Sequence, residues 1–224
     1  SPAGMRFTLV VQGQRFDMHV PVVARFNISN LLAVVGALLL RGIPADRAVQ
    51  ACGRLTAPEG RMQVLGGIGE PMVVVDYAHT PDALAKVLEA VRASAQARGG
   101  RLICVFGCGG DRDPGKRPLM GGVAAQLADR VLVTSDNPRS EPPEAIIAEV
   151  VAGASGVPVE QVVDRAEAIA RAVAEAAPDD VVVLAGKGHE PYQEIHGRRT
   201  PFSDVTQARA ALDAWNRNFG AVKP

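Results

Sequence analysis

The sequence predicts an α/β fold: a Rossmann-like C-terminal domain with a mainly parallel sheet, preceded by the end of another domain. From residue 72 onward, short apolar runs rich in β-branched residues alternate with longer stretches of helical pattern, as in consecutive βαβ units. Most of these runs are apolar throughout, which is typical of strands covered by helices on both faces. The 224 residues are enough for one large domain or two small ones.

The first block, residues 1–70, has a different pattern. Apolar and polar residues alternate over residues 5–11 and again over residues 16–22, which predicts a β-hairpin. The apolar stretch 31–40 predicts a buried helix closed by Gly42, and a second helix is expected over residues 45–53. A hairpin and two helices make a poor independent core, so we expect this block to be the end of a domain that starts upstream.

The second block, residues 71–224, supplies the alternating elements. Strands are predicted at residues 72–75, 102–106, 131–134 and 181–185, with a further candidate at 159–163. Helices are predicted at residues 82–98, 118–128, 143–151 and 166–176. A segment at 192–195 then leads through a turn at His196 and Gly197 to a last helix, 203–215, for which Ser203 or Asp204 is the expected N-cap.

Composition excludes several classes of protein. Lys plus Arg number 24 and Asp plus Glu number 24, and a chain without basic excess is not expected to bind nucleic acid. The longest apolar run, residues 31–40, is too short to span a membrane, and no secretory signal pattern opens the chain. The three cysteines fit neither a disulfide framework nor a structural zinc site. We therefore expect a soluble, cytoplasmic protein.

Polar residues are concentrated where four predicted strands end. These segments cover residues 76–81, 107–113, 135–139 and 186–190. Because ligands of parallel α/β sheets bind beyond the carboxyl ends of the strands, the sequence predicts the binding site at this rim.

The glycine-rich loop does not complete a nucleotide motif. Residues 110–116 fit the first seven positions of a P-loop, but Arg117 stands where a Ser or Thr must hold magnesium. Residues 107–109 begin like a dinucleotide fingerprint, yet its third glycine is replaced by Arg112. The charged side chains of this loop suit a zwitterionic ligand better than a pyrophosphate, although they could also pair with one another on the surface.

Two further loops carry groups that suit an amino acid. Arg139 offers a planar fork for a carboxylate and Asn137 offers both a donor and an acceptor, although a type I turn with a solvated arginine is also possible. Glu190 could receive an ammonium group, and the alternative is a turn with exposed charges. His79 and His189 without a third ligand do not predict a metal site.

Six segments occur in an order that resembles the Mur ligases, specifically the branch that adds meso-diaminopimelate. They are Phe26-Asn27-x-x-Asn30, Gly60-Arg61-Met62, residues 76–81, residues 107–113, Asp136-Asn137-Pro138-Arg139 and Gly186-Lys187-Gly188-His189-Glu190. The resemblance runs from about residue 7 to residue 212. It implies that ATP, with Mg²⁺, activates a carboxylate as an acyl phosphate that the amine of the added amino acid then attacks.

The resemblance also implies roles for individual residues. The nucleotide is expected to contact Asn27, Asn30, Arg61, Asp76 and His79. The amino acid is expected to contact Arg112, Asp136, Asn137, Pro138, Arg139, Gly186 and Glu190. The expected partners are meso-diaminopimelate, UDP-N-acetylmuramoyl-L-alanyl-D-glutamate and ATP.

The sequence departs from the family pattern in lacking a Gly-Lys-Thr P-loop. We therefore expect residues 1–70 to be the C-terminal portion of the family's central ATP-binding domain and residues 71–224 its amino-acid-binding domain. Such a fragment is expected to be inactive alone and to hold no cofactor tightly. The alternatives are a non-catalytic amino-acid-binding module and another amide ligase, either lysine-adding or a folylpolyglutamate synthetase.

Overall fold

The computed structural model describes residues 4–20, 22 and 26–219. The parts of the predicted hairpin and domains that fall on residues 1–3, 21, 23–25 and 220–224 lie outside it. The chain divides into two compact units between Pro58 and Glu59. The units therefore divide earlier than the predicted boundary after residue 70, because residues 63–66 form a strand in the sheet of the second unit.

The first unit opens with the predicted hairpin. Strand β1 (Met5–Val11) pairs antiparallel with β2 (Gln14–Val20) along its whole length. Gln12 and Gly13 make the turn with φ values of 51° and 79°, and two positive values in succession are the mark of a type I′ turn. The alternating residues Leu9, Val11, Met18 and Val20 form the buried face of the hairpin.

Helix α1 (Phe26–Leu40) is covered on one face, which corrects the prediction of a buried helix. Leu31 and Val35 lie four residues apart on the same face and are buried against the hairpin. Leu40, by contrast, is 90% exposed. The hairpin and helix α2 (Ala45–Cys52) cover one side of α1, and a uniformly apolar sequence does not reveal which of its sides will be covered.

The second unit is built on a six-stranded sheet. Its strands are β3 (Gln63–Gly66), β4 (Met72–Asp76), β5 (Leu102–Phe106), β6 (Arg130–Thr134), β7 (Val159–Val162) and β8 (Val181–Ala185). Their order is β3-β4-β8-β5-β6-β7, with β3 antiparallel at one edge and the rest parallel. The predicted fold class and strands are confirmed, while the edge strand β3 was not predicted.

Helices cover both faces of this sheet. They are α3 (Pro81–Arg98), α4 (Lys116–Leu127), α5 (Pro143–Val151), α6 (Arg165–Ala174) and α7 (Asp204–Phe219). Helices α6 and α7 bury alternate strand residues such as Val73, Ile103 and Leu184. The intervening strand residues point to the opposite face, which α3, α4 and α5 cover. Within the described ranges, no helix is both long and apolar enough to cross a membrane.

The carboxyl ends of four strands lie side by side. In register, Ala185 of β8 stands between Asp76 of β4 and Phe106 of β5, and β6 follows β5. A separate hairpin of β9 (Tyr192–Ile195) and β10 (Arg198–Pro201) touches this rim. The segment 192–195 was predicted, whereas β10 was not. The loops that carry the polar segments therefore meet at one rim of the sheet, as predicted.

Candidate functional site

A cavity of about 570 Å³ opens where the strand ends meet. Several of the predicted site residues line it: His79, Arg112, Asp136, Asn137, Arg139, Gly186 and Glu190. The other lining residues are Tyr77, Thr80, Gly109, Asp113, Lys116 and Tyr192. Loops after β4, β5, β6 and β8 thus contribute to a single cavity, with cationic and anionic side chains on its walls.

Lys187 is fully buried although it lies in a glycine-rich loop. Its Nζ donates to Asn137 Oδ1 and to Glu190 Oε2, both at 3.1 Å, and lies 3.8 Å from Asp136 Oδ1. The alternative of a turn with exposed charges is therefore wrong for this lysine. One buried cation serves two carboxylates, so this cluster as a whole carries one negative charge when both acids are ionised.

The Asn137 side chain joins the loop after β6 to the loop after β8. Its Nδ2 donates to Glu190 Oε2 at 2.8 Å, and its Oδ1 accepts from Lys187 Nζ and from the backbone N–H of Glu194 at 2.9 Å. The side chain is buried, and both ends of its amide are used. These bonds fix the position of the Glu190 carboxylate.

Asp136 is a buried acid on the cavity wall. Burial raises the pKa of its carboxyl, although the positive charges of Arg165 and Lys187 oppose this shift. Gly186 faces it with a φ of 111°, and a Cβ added there would lie 2.7 Å from Asp136 Oδ2. Glycine is therefore required at 186 both by backbone conformation and by space.

Strand β9 holds the main chain of Arg139. The Arg139 N–H donates to the Glu194 carbonyl at 3.0 Å, and its own carbonyl accepts from the His196 N–H at 2.6 Å. These bonds maintain a φ of 52°, a region that costs a residue other than glycine about 1–2 kcal/mol. The half-buried side chain donates from Nη1 to the Gly110 carbonyl at 2.7 Å. Hydrogen bonds thus hold both the main chain of Arg139 and its guanidinium, which lies at the cavity wall.

Pro138, between these residues, is buried but does not line the cavity. Its carbonyl lies against Gly110, where an added Cβ would approach it to 1.9 Å. The proline therefore packs the loop after β6 onto the loop after β5, and its contact with the amino acid stays a prediction.

The loop after β5 presents an exposed Arg112. Its Nη1 donates to the Asp111 carbonyl at 3.0 Å, while the Asp111 carboxylate accepts from Ser140 Oγ at 2.6 Å. The alternative in which the charges of this loop pair with one another is not the arrangement found. Arg112 is a cationic side chain at the mouth of the cavity.

Arg117 accounts for the incomplete P-loop pattern. Its buried guanidinium pairs with Glu141 at 2.8 Å and with Glu149 at 3.0 Å. It therefore ties α4 to the segment after β6. Arginine has no hydroxyl that could hold magnesium, so this loop is not a P-loop, and the guanidinium has a structural role instead.

Asp76 ties the start of the second unit to the end of β4. Its carboxylate accepts from the backbone N–H groups of Met62 and Ala78, both at 2.8 Å. Burial raises the pKa of this carboxyl, and the two hydrogen bonds and the charge of Arg61 act in the opposite direction. Asp76 is not among the residues that line the cavity.

A cluster of rings and one guanidinium surrounds Tyr77 at the edge of the cavity. The Arg61 guanidinium carbon lies 4.6 Å from the centroid of the Tyr77 ring, within cation–π range. The rings of His79 and His189 lie 4.7 Å and 5.2 Å from it. The structure thus brings together the predicted residues Arg61 and His79 through a tyrosine that was not predicted.

Gly60 allows the turn before β3 to touch the loop after β8. A Cβ added at Gly60 would lie 2.2 Å from both Gly188 C and His189 N. The φ of Gly60 is also positive, at 63°. Direct backbone contact thus holds Arg61 next to the loop that carries Glu190.

Asn27 and Asn30 belong to the first unit and lie in the first turns of α1. Asn30 Nδ2 donates to Asn27 Oδ1 at 3.1 Å. The side chain of Asn30 is exposed, although it lies at the start of the helix that was predicted to be buried. The cause is the one-sided covering of α1, since Asn30 lies outside its buried face.

Sequence reasoning assigned no individual role to several side chains at or beneath the cavity, among them Tyr77, Lys116, Lys187 and Tyr192. Lys116 Nζ donates to the His79 carbonyl at 2.9 Å, and Arg199 lies over the Tyr192 ring at 4.5 Å. Tyr77 and Lys187 lie within the polar segments 76–81 and 186–190, directly after the predicted site residues Asp76 and Gly186. This proximity in sequence could have identified them. Lys116 ends the partial P-loop match of residues 110–116, which was set aside, and no local pattern marks Tyr192.

Comparison with known proteins gives a consistent result. The family described as "Mur ligase, glutamate ligase domain" matches residues 60–188. The chain is 53% identical over 211 residues to the UDP-N-acetylmuramoyl-L-alanyl-D-glutamate–2,6-diaminopimelate ligase of Acidovorax sp. (strain JS42), covering 94% of this chain and 42% of that protein. The enzyme of the same name from Pseudomonas aeruginosa is 57% identical over 214 residues, or 95% of this chain and 43% of that protein.

Solved structures show the same fold. A structure of a UDP-N-acetylmuramoyl-L-alanyl-D-glutamate–2,6-diaminopimelate ligase is 45% identical with a TM-score of 0.70, covering 96% of this chain and 44% of that one. Folylpolyglutamate synthase from Thermotoga maritima has a TM-score of 0.64 at 22% identity, covering 82% of this chain and 41% of that one. At that identity the likeness concerns the fold alone. The chain spans less than half the length of these relatives.

Proposed function

Because the chain belongs to the Mur ligase family, we propose that it is the amino-acid-binding part of a ligase that adds meso-diaminopimelate to UDP-N-acetylmuramoyl-L-alanyl-D-glutamate. The observation that carries this proposal is the distribution of charge in the cavity. Arg139 and Arg112 line it together with Glu190 and Asp136. A pocket with cations and anions on its walls suits a ligand that carries both carboxylates and ammonium groups.

The cavity residues would bind and orient the amino acid. Glu190 and Asp136 share Lys187 as their ion-pair partner, so the excess negative charge of these three side chains suits an ammonium group of the ligand. Arg139 and Arg112 are suited to its carboxylates. A fixed ligand presents its amine in one direction, and such positioning makes a large contribution to bond formation between two bound groups.

Arg139 is proposed to select diaminopimelate over lysine. The two amino acids differ in the second carboxylate, which lysine lacks and to which a guanidinium can donate two parallel hydrogen bonds. If L-lysine were bound in place of meso-diaminopimelate, the half-buried Arg139 guanidinium would have no carboxylate partner, which costs binding free energy.

The nucleotide belongs to the proposal for the whole enzyme. Arg61, His79 and Asp76 of the second unit are proposed to contact ATP. Asn27 and Asn30 belong to the first unit, which we assign to the family's central ATP-binding domain, and their nucleotide contact is proposed from the resemblance alone. The sequence holds no Gly-Lys-Thr loop for the phosphates, and no cluster of three metal-binding side chains is found within the described residues. These residues do not fit a phosphate and Mg²⁺ cradle, so we derive no phosphoryl-transfer step from them and expect no ATP hydrolysis by the chain alone.

Titration calorimetry of the 224-residue chain tests the proposal. We expect saturable binding of meso-diaminopimelate, weak or no binding of L-lysine, and a loss of affinity for meso-diaminopimelate of about 30-fold or more in Arg139→Ala. Arg198→Ala is the matched control, because Arg198 is an exposed arginine on β10 outside the cavity, and it should bind like the unmodified chain. Equal affinity for both amino acids, or undiminished binding by Arg139→Ala, would contradict the proposed selection.

A further inference from the structure

Arg165 and Asp204 form an ion pair with no exposed side-chain surface on either residue. Arg165 Nε donates to Asp204 Oδ1 and Nη2 donates to Asp204 Oδ2, both at 2.7 Å. Arg165 is the first residue of α6 and Asp204 the first residue of α7. The paired forks join the amino ends of the two helices on one face of the sheet.

The same guanidinium also holds two strand ends. Nη1 donates to the Ser135 carbonyl at 3.3 Å, and Nη2 donates to the Ala185 carbonyl at 3.0 Å. Strands β6 and β8 are not paired with each other, because β5 lies between them. Arg165 therefore connects two strand ends that the hydrogen bonds of the sheet do not connect directly.

Each of those carbonyls immediately precedes a residue of the cavity. Ser135 is followed by Asp136, and Ala185 by Gly186. These two cavity residues face each other so closely that a single added Cβ at 186 would come within 2.7 Å of the Asp136 carboxylate. A small shift of either strand end would change this contact and the shape of the cavity.

We propose that Arg165, held by Asp204, is a positioning residue that fixes the ends of β6 and β8 and thereby the geometry of the amino-acid site. We call the Arg165–Asp204 pair, with its bonds to the Ser135 and Ala185 carbonyls, the clamp. The identity of the ligand rests on the proposed function, whereas the clamp itself does not. Arg165 does not line the cavity, so its effect on a ligand is transmitted through the two strand ends.

Stability alone is a weak explanation for this pair. Replacing a buried ion pair by apolar side chains of similar size is often neutral or stabilising, whereas removing one partner leaves a buried charge unpaired. The double variant Arg165→Met/Asp204→Leu is therefore designed to fold while lacking the clamp. Arg165→Lys provides a second test, because it keeps the positive charge but loses the planar fork that reaches two carbonyls.

The first measurement is amide hydrogen exchange, which needs no ligand. The N–H groups of Gly186 and Arg139 are hydrogen-bonded next to the clamp, to the carbonyls of Asp76 and Glu194. We expect both to exchange faster in the double variant and in Arg165→Lys. The Val181 N–H, bonded to the Arg101 carbonyl at the other end of β8, should exchange at an unchanged rate.

The second measurement is calorimetric titration with meso-diaminopimelate. We expect a loss of affinity of about 10- to 100-fold in both clamp variants, the range typical of removing residues that orient the direct ligands of a metal site. Asp180→Asn is the matched control, since Asp180 is a buried aspartate paired with Arg101 at the amino ends of β8 and β5, away from the cavity. It should leave the affinity unchanged even if it lowers the melting temperature.

The outcomes separate the clamp from the proposed ligand. Folded clamp variants with unchanged exchange at Gly186 and Arg139, or with undiminished binding, would overturn the positioning role. Failure of the unmodified chain to bind meso-diaminopimelate would contradict the proposed function, and the exchange rates would then decide on the clamp. Faster exchange together with weaker binding would support both.

Discussion

Lys187 Nζ and Glu190 Oε2 lie 3.1 Å apart within one turn of the chain, and the lysine has no exposed surface while the glutamate lines the cavity. The buried cation thus lies directly behind an anion that faces the cavity. Asn137 contacts both partners, so the carboxylate is held by two groups from two loops. The cavity is therefore preorganised to present an anion at a fixed place.

Lys187→Met should strongly destabilise the second unit. The substitution leaves the carboxylates of Glu190 and Asp136 without their shared counter-ion, and breaking a buried pair in this way costs about 3–5 kcal/mol. Lys86→Met is the matched control, because Lys86 forms an exposed pair with Asp82 on α3 and a solvated pair of this kind contributes little to stability. Urea denaturation of both variants measures the difference. Similar losses in the two variants would contradict the role assigned to Lys187.

Asp136→Asn should stabilise the chain at neutral pH. Burial raises the pKa of Asp136 in the folded state, so its stabilising contribution is present below the unfolded pKa and is lost as the pH rises through the folded pKa. The free energy of unfolding of the variant should exceed that of the unmodified chain near pH 7. The gain should disappear as the pH falls towards about 4, the pKa of an unperturbed aspartate.

Asp180→Asn should show the opposite pH dependence. Burial acts to raise the pKa of Asp180, but hydrogen bonds from the Arg101 side chain and from the backbone of Arg101 and Ala177 outweigh it, and the pKa is lowered. Its contribution is therefore present above the unfolded pKa and is lost as the pH falls through the folded pKa. Urea unfolding of Asp136→Asn and Asp180→Asn between about pH 4 and pH 7 tests the two predictions together. If the free energy of unfolding changed with pH in the same way for both variants, burial of Asp136 and ion pairing of Asp180 would not have opposite effects on stability.

Gly60→Ala should cost much more than an alanine at another glycine with positive φ. The added methyl would lie 2.2 Å from the backbone of Gly188 and His189, which forces the two loops apart. At Gly99, with a φ of 75°, nothing lies within 4 Å of an added Cβ. Gly99→Ala therefore measures the conformational cost alone, about 1–2 kcal/mol.

The steric cost should add about 1–3 kcal/mol in Gly60→Ala. Thermal unfolding of both variants gives the comparison, and fluorescence of the tyrosines would report whether the surroundings of Tyr77 have changed. Equal losses at Gly60 and Gly99 would mean that the loops move apart without resistance.

Sequence patterns predicted the buried strands well and the exposed ones poorly. Residues 102–106 and 181–185 were predicted with the bounds that the structure has. A short apolar run rich in β-branched residues, with turn residues on both sides, is typical of a buried strand. Strands β3 and β10 are four residues long and partly or fully exposed. Neither shows the alternation or the apolar run that would distinguish a strand from a loop.

The loops of the site were predictable, whereas the internal bonds of the site were not. Charged residues at strand ends point to a ligand site from topology alone. The burial of Lys187 depends on Asn137, which is 50 residues earlier in the chain. The fork of Arg165 likewise depends on Asp204 and on two distant carbonyls. Such pairings follow from the order of the strands, which a single sequence does not specify.

Strand β9 and the turn after it bind the main chain of Arg139. The backbone conformation of this loop is therefore independent of the side chain at position 139. Both backbone bonds come from Glu194 and His196, so neither depends on the guanidinium. A change of side chain at 139 alters the charge offered to a ligand while the loop keeps its course. On the proposed role of Arg139, a single substitution at this position would therefore change the amino acid that is accepted while the loop is kept in evolution.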